Sequence, residues 1–370
     1  MKIKNLKVDS GPYNDGYYHF SNDLDRYPEA TIYLVWSMRG PGKTYSFLRY
    51  CYENKRKFVY MKRTNDDVDF ICKTDNGLTD FDPSPFVPLN RDFGWNVKPK
   101  SIEKGVGAFY NTNEEGDPSG APIGYILSLN KVKSIKGIDL SDADFICLDE
   151  FIPQAHEIVR RTEGAALLDV YMTVARDREY RGREPLKLVL FANSEQIATP
   201  ITSMLEVIDD MAELTYSDRC YTYLEDRGIM LHHIKPEEVP AARKNMEGGI
   251  FKAMGNTAWG RKAFFGDFAN NDFSNVMHLS TKKMICLYKV RYKNNTYYIY
   301  LHPDTGMHYM TFARSNKYIE EYDLNKENDQ KRFWIEHGQE LRIECMENNF
   351  KFLKYSMYDL IINFKAIFKV

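Results

Sequence analysis

Short apolar runs recur through the first half of the chain, each bounded by polar or turn-forming residues. Residues 31–36 (TIYLVW) are apolar and β-branched, and a run of this kind predicts a buried strand. Residues 58–61 (FVYM), 144–148 and 187–192 (KLVLFA) predict further strands of the same character. Between them the period changes. After Lys43 the sequence YSFLRYCYENK sets Phe47, Tyr50 and Cys51 on one helical face, and residues 164–178 predict another helix. Strands alternating with helices predict an α/β domain with a mainly parallel sheet.

Other stretches follow different patterns. Residues 75–122 are rich in Gly, Pro, Asn and Asp, with β-like pieces GAFYN and IGYILSL, and predict an insertion or lid built from hairpins. Composition shifts at Pro236-Glu237-Glu238-Val239-Pro240, after which a short helical segment runs to about residue 267. From 284 to 311 aromatic strands (ICLYKVRYK, TYYIYL, MHYMTF) are joined at Lys293-Asn294-Asn295 and Asp304-Thr305-Gly306, which are hairpin-type turns. Residues 329–370 are mixed and end in an amphipathic helix, YDLIINFKAIF. No internal repeat is visible.

The chain has 370 residues, room for two or three domains. Its 43% hydrophobic and 28% charged residues are typical of a globular protein, and 26 Tyr with 22 Phe predict an aromatic interior. A net charge of −2 excludes a polycation that coats nucleic acid, so any DNA contacts must be local. Cys51, Cys72, Cys147, Cys220, Cys286 and Cys345 form no CxxC pair, which favours free thiols and no zinc site. Cys147 and Cys286 sit in apolar runs as small buried hydrophobes. No signal-peptide core and no long apolar run occur, which predicts a soluble protein without a membrane span.

The chemistry begins at Ser37-Met38-Arg39-Gly40-Pro41-Gly42-Lys43-Thr44, between a predicted strand and a predicted helix. This matches the phosphate-binding loop GxxxxGK[ST], whose backbone N–H groups curl around phosphates at a helix N-terminus. Lys43 would reach the β- and γ-phosphates, the Thr44 hydroxyl would ligate Mg²⁺, and Gly42 would let the backbone approach. Ser37 replaces the first glycine of the pattern. Arg39 either touches the γ-phosphate or is a solvated loop arginine.

Downstream, Phe145-Ile146-Cys147-Leu148 leads into Asp149-Glu150. At a strand end, Asp149 would hold Mg²⁺ and Glu150 would polarise the attacking water, a division of labour that needs two carboxylates. Asn193, ending the next strand, is either a γ-phosphate sensor or a helix N-cap. Arg176, Arg178, Arg181 and Arg183 cluster in ARDREYRGR; one of them acting as an arginine finger on a neighbouring subunit is set against solvated helix-end cations. Lys131, Lys133 and Lys136 would touch DNA phosphates or a neighbouring site, or form a solvated loop.

The loop MRGPGKTY with the strands and helix FVYMKR, FICLDEF, TVARDRE and LVLFANS spans residues 31–196 and resembles the encapsidation ATPases of small protein-primed tailed phages, the phi-twenty-nine-like group. These are ring motors of the additional-strand, catalytic-glutamate class. The resemblance implies ATP and Mg²⁺ as cofactors, with Lys43, Glu150 and a trans-acting Arg176 as catalytic residues. Residues 37–44 and Asn193 would bind nucleotide, and Thr44 and Asp149 the metal. Lys136 falls near a lysine proposed to act between subunits. The implied domains are a P-loop ATPase over 1–235, a small helical linker over 236–272 (GNTAWGRKAFFGDF), and a β-rich ribonuclease-H-like domain over 273–370. That last domain is expected to be inactive as a nuclease, because its first strand carries Lys289 and Arg291 and no convincing acidic set is present. The implied partners are double-stranded DNA, further copies in a pentameric ring, and a procapsid portal reached through a packaging RNA. The implied location is the host cytoplasm and, transiently, the portal vertex. A terminase large subunit with an active nuclease, a nucleotide-dependent switch and a helicase are the rival functions.

Overall fold

The computed structural model describes residues 15–73, 82–131, 139–154, 157, 159–178, 180–246, 249–257, 260, 263, 266, 268, 271 and 273–370. Chain contacts divide it into two units. The first comprises residues 1–205 and 213–270, and the second 206–212 and 271–370. Of the stretch expected as a linker, 236–272, residues 236–270 group with the first unit, and Pro240–Met246 and Gly249–Met254 in it are helical.

The first unit holds a nine-stranded sheet among the described residues. Its strands are β1 (Ile32–Ser37), β2 (Phe58–Lys62), β3 (Val97–Glu103), β4 (Val106–Thr112), β5 (Pro118–Ser128), β6 (Phe145–Asp149), β7 (Lys187–Asn193), β8 (Tyr221–Leu224) and β9 (Ile229–Ile234). The order is β3-β4-β5-β2-β6-β7-β1-β9-β8. Every pairing from β5 to β9 is parallel, and antiparallel strands close both edges. The mixed α/β class with a mainly parallel sheet, expected from the alternating pattern, is what the chain adopts.

The four apolar runs are the four central strands. Their side chains are buried on both faces, so they read as continuous apolar sequence rather than as alternation. On one face pack α1 (Phe20–Arg26) and α2 (Lys43–Glu53), the latter through Phe47, Leu48 and Cys51. Phe20 meets Phe47, Phe145 and Phe191 edge-to-face at centroid distances of 5.3, 5.7 and 6.3 Å, the geometry that aromatic quadrupoles prefer.

Of the insertion or lid built from hairpins expected over 75–122, the hairpins are present and the lid is corrected. After α3 (Asn65–Ile71), its described part opens with α4 (Val87–Phe93), and β3–β5 form hairpins. They are no lid, however, because the buried end of β5 runs parallel to β2 and extends the main sheet. Gly124 permits this: a Cβ there would meet the Phe58 ring at 2.6 Å. The helix expected over 164–178 is also shorter. It is α5 (Glu163–Ala175), and Arg176 follows it in a turn with φ −47° and ψ 126°. Asp177 then turns left-handed at φ 56°, so Arg176 and Arg183 share no helical face.

The second unit carries a five-stranded sheet in the order β13-β10-β11-β12-β14. Its strands are β10 (Ile285–Tyr292), β11 (Asn295–Leu301), β12 (His308–Thr311), β13 (Glu320–Asp323) and β14 (Phe350–Phe352). β10, β11 and β12 are antiparallel neighbours joined at the expected turns, where Lys293 and Gly306 have φ of 51° and 69°. The amphipathic tail is two helices, Tyr355–Ile362 and Phe364–Phe368, interrupted at Asn363.

Strand β9, IMLHHI, is buried throughout despite its two histidines. His232 stands between Asp23 at 3.0 Å and Glu238 at 3.4 Å, and Tyr18 donates to Asp23 at 2.8 Å. Burial pushes His232 down, but the two carboxylates outweigh it and raise its pKa from 6.5 to about 9. Burial pushes Glu238 up, and His232 reverses this to about 2 from 4.5. Through Asp23 the imidazole links α1 to β9, and the sign of its pH dependence is fixed. The His232 contribution is full below pH 6.5 and lost as pH rises through 9; the Glu238 contribution is full above pH 4.5 and lost as pH falls through 2. Thermal melting should therefore show a stability plateau between these limits, with an alkaline loss of roughly 3 kcal/mol from His232. His232→Gln should be less stable at pH 6.5 and show a flatter alkaline limb; an unchanged limb would remove His232 from this role.

Candidate functional site

The parallel alignment sets the ends of β1, β6 and β7 side by side, with Ser37 opposite Asn193 and Asp149 opposite Phe191. A cleft of about 240 Å³ opens there, lined by Gly40 to Tyr45, Asp149, Glu150, Ala192 and Asn193. Polar groups separated by more than a hundred residues in sequence converge on it.

The 37–44 loop turns through two glycines, Gly40 at φ 78° and Gly42 at φ 97°, values that disfavour any side chain. Ser37, in contrast, has no positive φ and lies at the end of β1, so its place in the loop demands no glycine. Its hydroxyl accepts from Lys43 Nζ at 2.5 Å and donates to the Met38 carbonyl at 2.6 Å. Met38 is fully buried and Pro41 buried, whereas Arg39 is exposed and its backbone N–H donates to Ala263 O at 3.2 Å. Gly42 is the N-cap of α2, without a side-chain cap and with no acid in the first turn, so the positive end of that helix faces the cleft uncompensated.

Lys43 is buried, and besides Ser37 its ammonium meets only neutral acceptors, Met38 O at 3.5 Å and Asn193 Oδ1 at 3.4 Å. Burial lowers its pKa to about 8, against the raising effect of Asp149 and Glu150. A buried cation held by neutral groups at a helix N-terminus suits an anionic ligand.

Thr44 Oγ1 donates to Asp149 Oδ1 at 3.1 Å, so a hydroxyl and a carboxylate oxygen meet at the cleft floor. Oxygen donors of this kind suit a hard cation. The other Asp149 oxygen accepts from Tyr60 at 2.6 Å and Lys62 at 3.1 Å. Burial pushes Asp149 up, but Lys62 and Tyr60 outweigh it and hold the carboxyl below its usual range. Glu150 follows at φ 58°, exposed, with Lys62 at 3.0 Å.

Sequence reasoning assigned no role to Tyr60, Lys62 or Arg63. The signal was a strand ending in two cations beside a strand ending in two acids, and parallel pairing of β2 with β6 brings them together. Arg63 donates to the carbonyls of Glu150 at 3.2 Å and Phe151 at 2.8 Å and pairs with Glu157 at 2.7 Å and Glu163 at 3.2 Å. It ties the start of α5 to the turn that carries Glu150.

The structure does not bring Arg176 to this cleft. It is exposed, and the turn after it packs on Ser141 to Asp144 at the start of β6, the strand end opposite Asp149. Lys131 pairs with Glu103 at 3.3 Å, while Lys133 and Lys136 lie outside the described residues.

Arg63 and Glu163 are both nearly buried, with side-chain exposures of 9% and 6%. Arg63→Met should leave Glu163 without its cation and cost about 3–5 kcal/mol, read as a lower urea midpoint with an unchanged slope. A loss under about 1 kcal/mol would mean that the pair does not hold this turn.

No protein-family profile and no curated protein matches the chain. Two solved structures match it nearly end to end. The bacteriophage Phi-29 viral genome packaging motor assembly is 15% identical, with a TM-score of 0.61 over 94% of this chain and 99% of that one. The Phi-28 gp11 DNA packaging motor is 16% identical, with a TM-score of 0.56 over 96% and 98%. The resemblance carried by the motifs thus extends to the fold, and this chain folds as phage DNA packaging motors do.

Proposed function

We propose that this protein is a P-loop ATPase that drives double-stranded DNA into a viral procapsid. The observation that carries this reading is the convergence of Lys43, Thr44, Asp149, Glu150 and Asn193 on one cleft, in a chain that shares its fold with two packaging motors. Strand β7 lies between β1 and β6, which suits the additional-strand class. In this reading residues 37–44 and Asn193 would hold the ATP phosphates, with Lys43 supplying positive charge to them. Thr44 and Asp149 would hold Mg²⁺, which would offset phosphate charge during transfer. Glu150 accepts a proton from the attacking water, and Arg63 keeps its turn in place. Arg176, remote from its own cleft, serves the neighbouring subunit's site in a homo-oligomeric ring. The ring works at the portal vertex.

The second unit is proposed as a ribonuclease-H-like, nucleic-acid-binding domain without nuclease activity. On β10, Lys289 and Arg291 each pair with Glu321 of β13 at 3.2 Å, and Arg291 reaches Asp323 at 3.7 Å. Cations therefore neutralise acids that a two-metal nuclease would keep free. Glu320, Glu336 and His337 come together, but the Tyr322 hydroxyl bonds both glutamates. The terminase alternative predicts Mn²⁺-dependent cleavage of plasmid DNA by the full chain; the proposed function predicts none.

ATP turnover should rise when double-stranded DNA and empty procapsids are added together, and a turnover indifferent to both would remove the motor reading. Lys43→Ala should abolish binding of a fluorescent ATP analogue. Glu150→Gln should bind Mg·ATP normally and lose turnover by roughly two to four orders of magnitude. Loss of binding in Glu150→Gln would instead make that residue a metal ligand or a structural group.

A further inference from the structure

Arg178 lies among surface turns two residues after Arg176, yet its side chain is only 2% exposed. Its guanidinium donates to the carbonyls of Ser141 at 3.2 Å and Ala143 at 2.5 Å, to the carbonyl of Glu184, and to the Asp144 carboxylate at 2.5 Å. These acceptors belong to two other segments, the one entering β6 and the one entering β7. A planar five-donor fork can serve them all; a lysine ammonium cannot.

The same residue closes the turn around itself. Its N–H donates to Ala175 O at 3.1 Å, and its carbonyl accepts from the N–H groups of Arg181 at 3.2 Å and Arg183 at 3.1 Å. Arg176 therefore sits on a short spur between two fixed points, the end of α5 at Ala175 and the buried Arg178. Within that spur Arg176 has φ −47° and ψ 126°, and Asp177 is left-handed at φ 56°. The exit direction of the exposed Arg176 side chain is set by this geometry rather than by helix continuation.

We propose that Arg178 is a positioning residue for Arg176: its buried fork locks the end of α5 to the sheet so that Arg176 is presented outward to a second copy of this chain. The inference rests on the trans role given to Arg176 above. It assigns the two arginines of one motif different work, one reaching a neighbour and the other never leaving its own subunit.

The test uses full-length chains mixed into rings, with Arg176→Ala and Glu150→Gln as references. Those two together should regain DNA-stimulated turnover, because an intact Arg176 then faces an intact Glu150. If they do not, with ring assembly verified by light scattering, the trans reading fails and this proposal fails with it. Given that rescue, Arg178→Lys alone should keep its KM for ATP and lose roughly a hundredfold in kcat, the scale of a small misplacement. It should regain turnover when mixed with Glu150→Gln and not when mixed with Arg176→Ala. The reverse pattern would mean that Arg178 supports its own active site through β6, and would overturn the proposal; so would a wild-type kcat. Asp144→Asn, a milder change that keeps the backbone acceptors, is read by the same mixtures and decides the matter if Arg178→Lys melts early. It should show a smaller loss of the same pattern, and complementing Arg176→Ala, complementing neither partner, or keeping full turnover overturns the proposal.

Discussion

The parallel pairing of β2, β6, β7 and β1 is the constraint from which the site follows. Parallel strands cannot be joined by tight turns, so each must be reached through a crossover, and their carboxyl ends then lie along one edge. Ser37, Asn193, Asp149 and Lys62 are consequences of that alignment, each being the last residue of its strand. The first crossover, α2, begins at this edge and points its uncompensated N-terminus into the cleft. A single topological choice thus gathers two cations, two hydroxyls, two carboxylates and an amide from four strands and one helix.

Gathering them creates an electrostatic problem. Two carboxylates at adjacent positions, one of them buried, repel each other and lose solvation. Lys62 relieves both by touching Asp149 at 3.1 Å and Glu150 at 3.0 Å, and the Tyr60 hydroxyl adds a hydrogen bond from within the sheet. Lys43 is different. Its hydrogen-bond acceptors are neutral, burial weakens its charge, and the helix N-terminus beside it adds positive potential. One side of the cleft is charge-balanced and the other holds unmatched positive character, an asymmetry suited to a ligand that carries negative charge at one end.

Much of this was legible in sequence because strands buried on both faces read as uninterrupted apolar runs, and chemistry starts where the run stops. Ser37, Asp149 and Asn193 each stand at such a stop. What escaped reading depends on contacts between distant segments. Lys62 looks like an ordinary cation after FVYM until β6 is placed beside it. Strand β9 hid because His232 and His233 are polar in sequence; one is accommodated by a buried and a half-buried carboxylate and the other stacks on Trp36 at 5.2 Å. The end of α5 was misread for a similar reason. Helical spacing continues through Arg178, but the bonds Arg178 makes to residues 141–144 and 184 exist only when it leaves the helix.

That departure also bears on how Arg176 can act. α5 runs back from the carboxyl edge, where Arg63 anchors its start through Glu163, to the opposite edge, where Arg178 grips the entry to β6. The five residues of β6 separate the two edges by roughly 15 Å at about 3.3 Å per residue. An arginine side chain cannot cross that distance through a packed sheet to its own Lys43 and Glu150. If Arg176 contributes to phosphoryl transfer at all, the site it serves belongs to another copy. The direction of one helix and the length of one strand thus keep Arg176 away from the cleft of its own chain, independently of any motif.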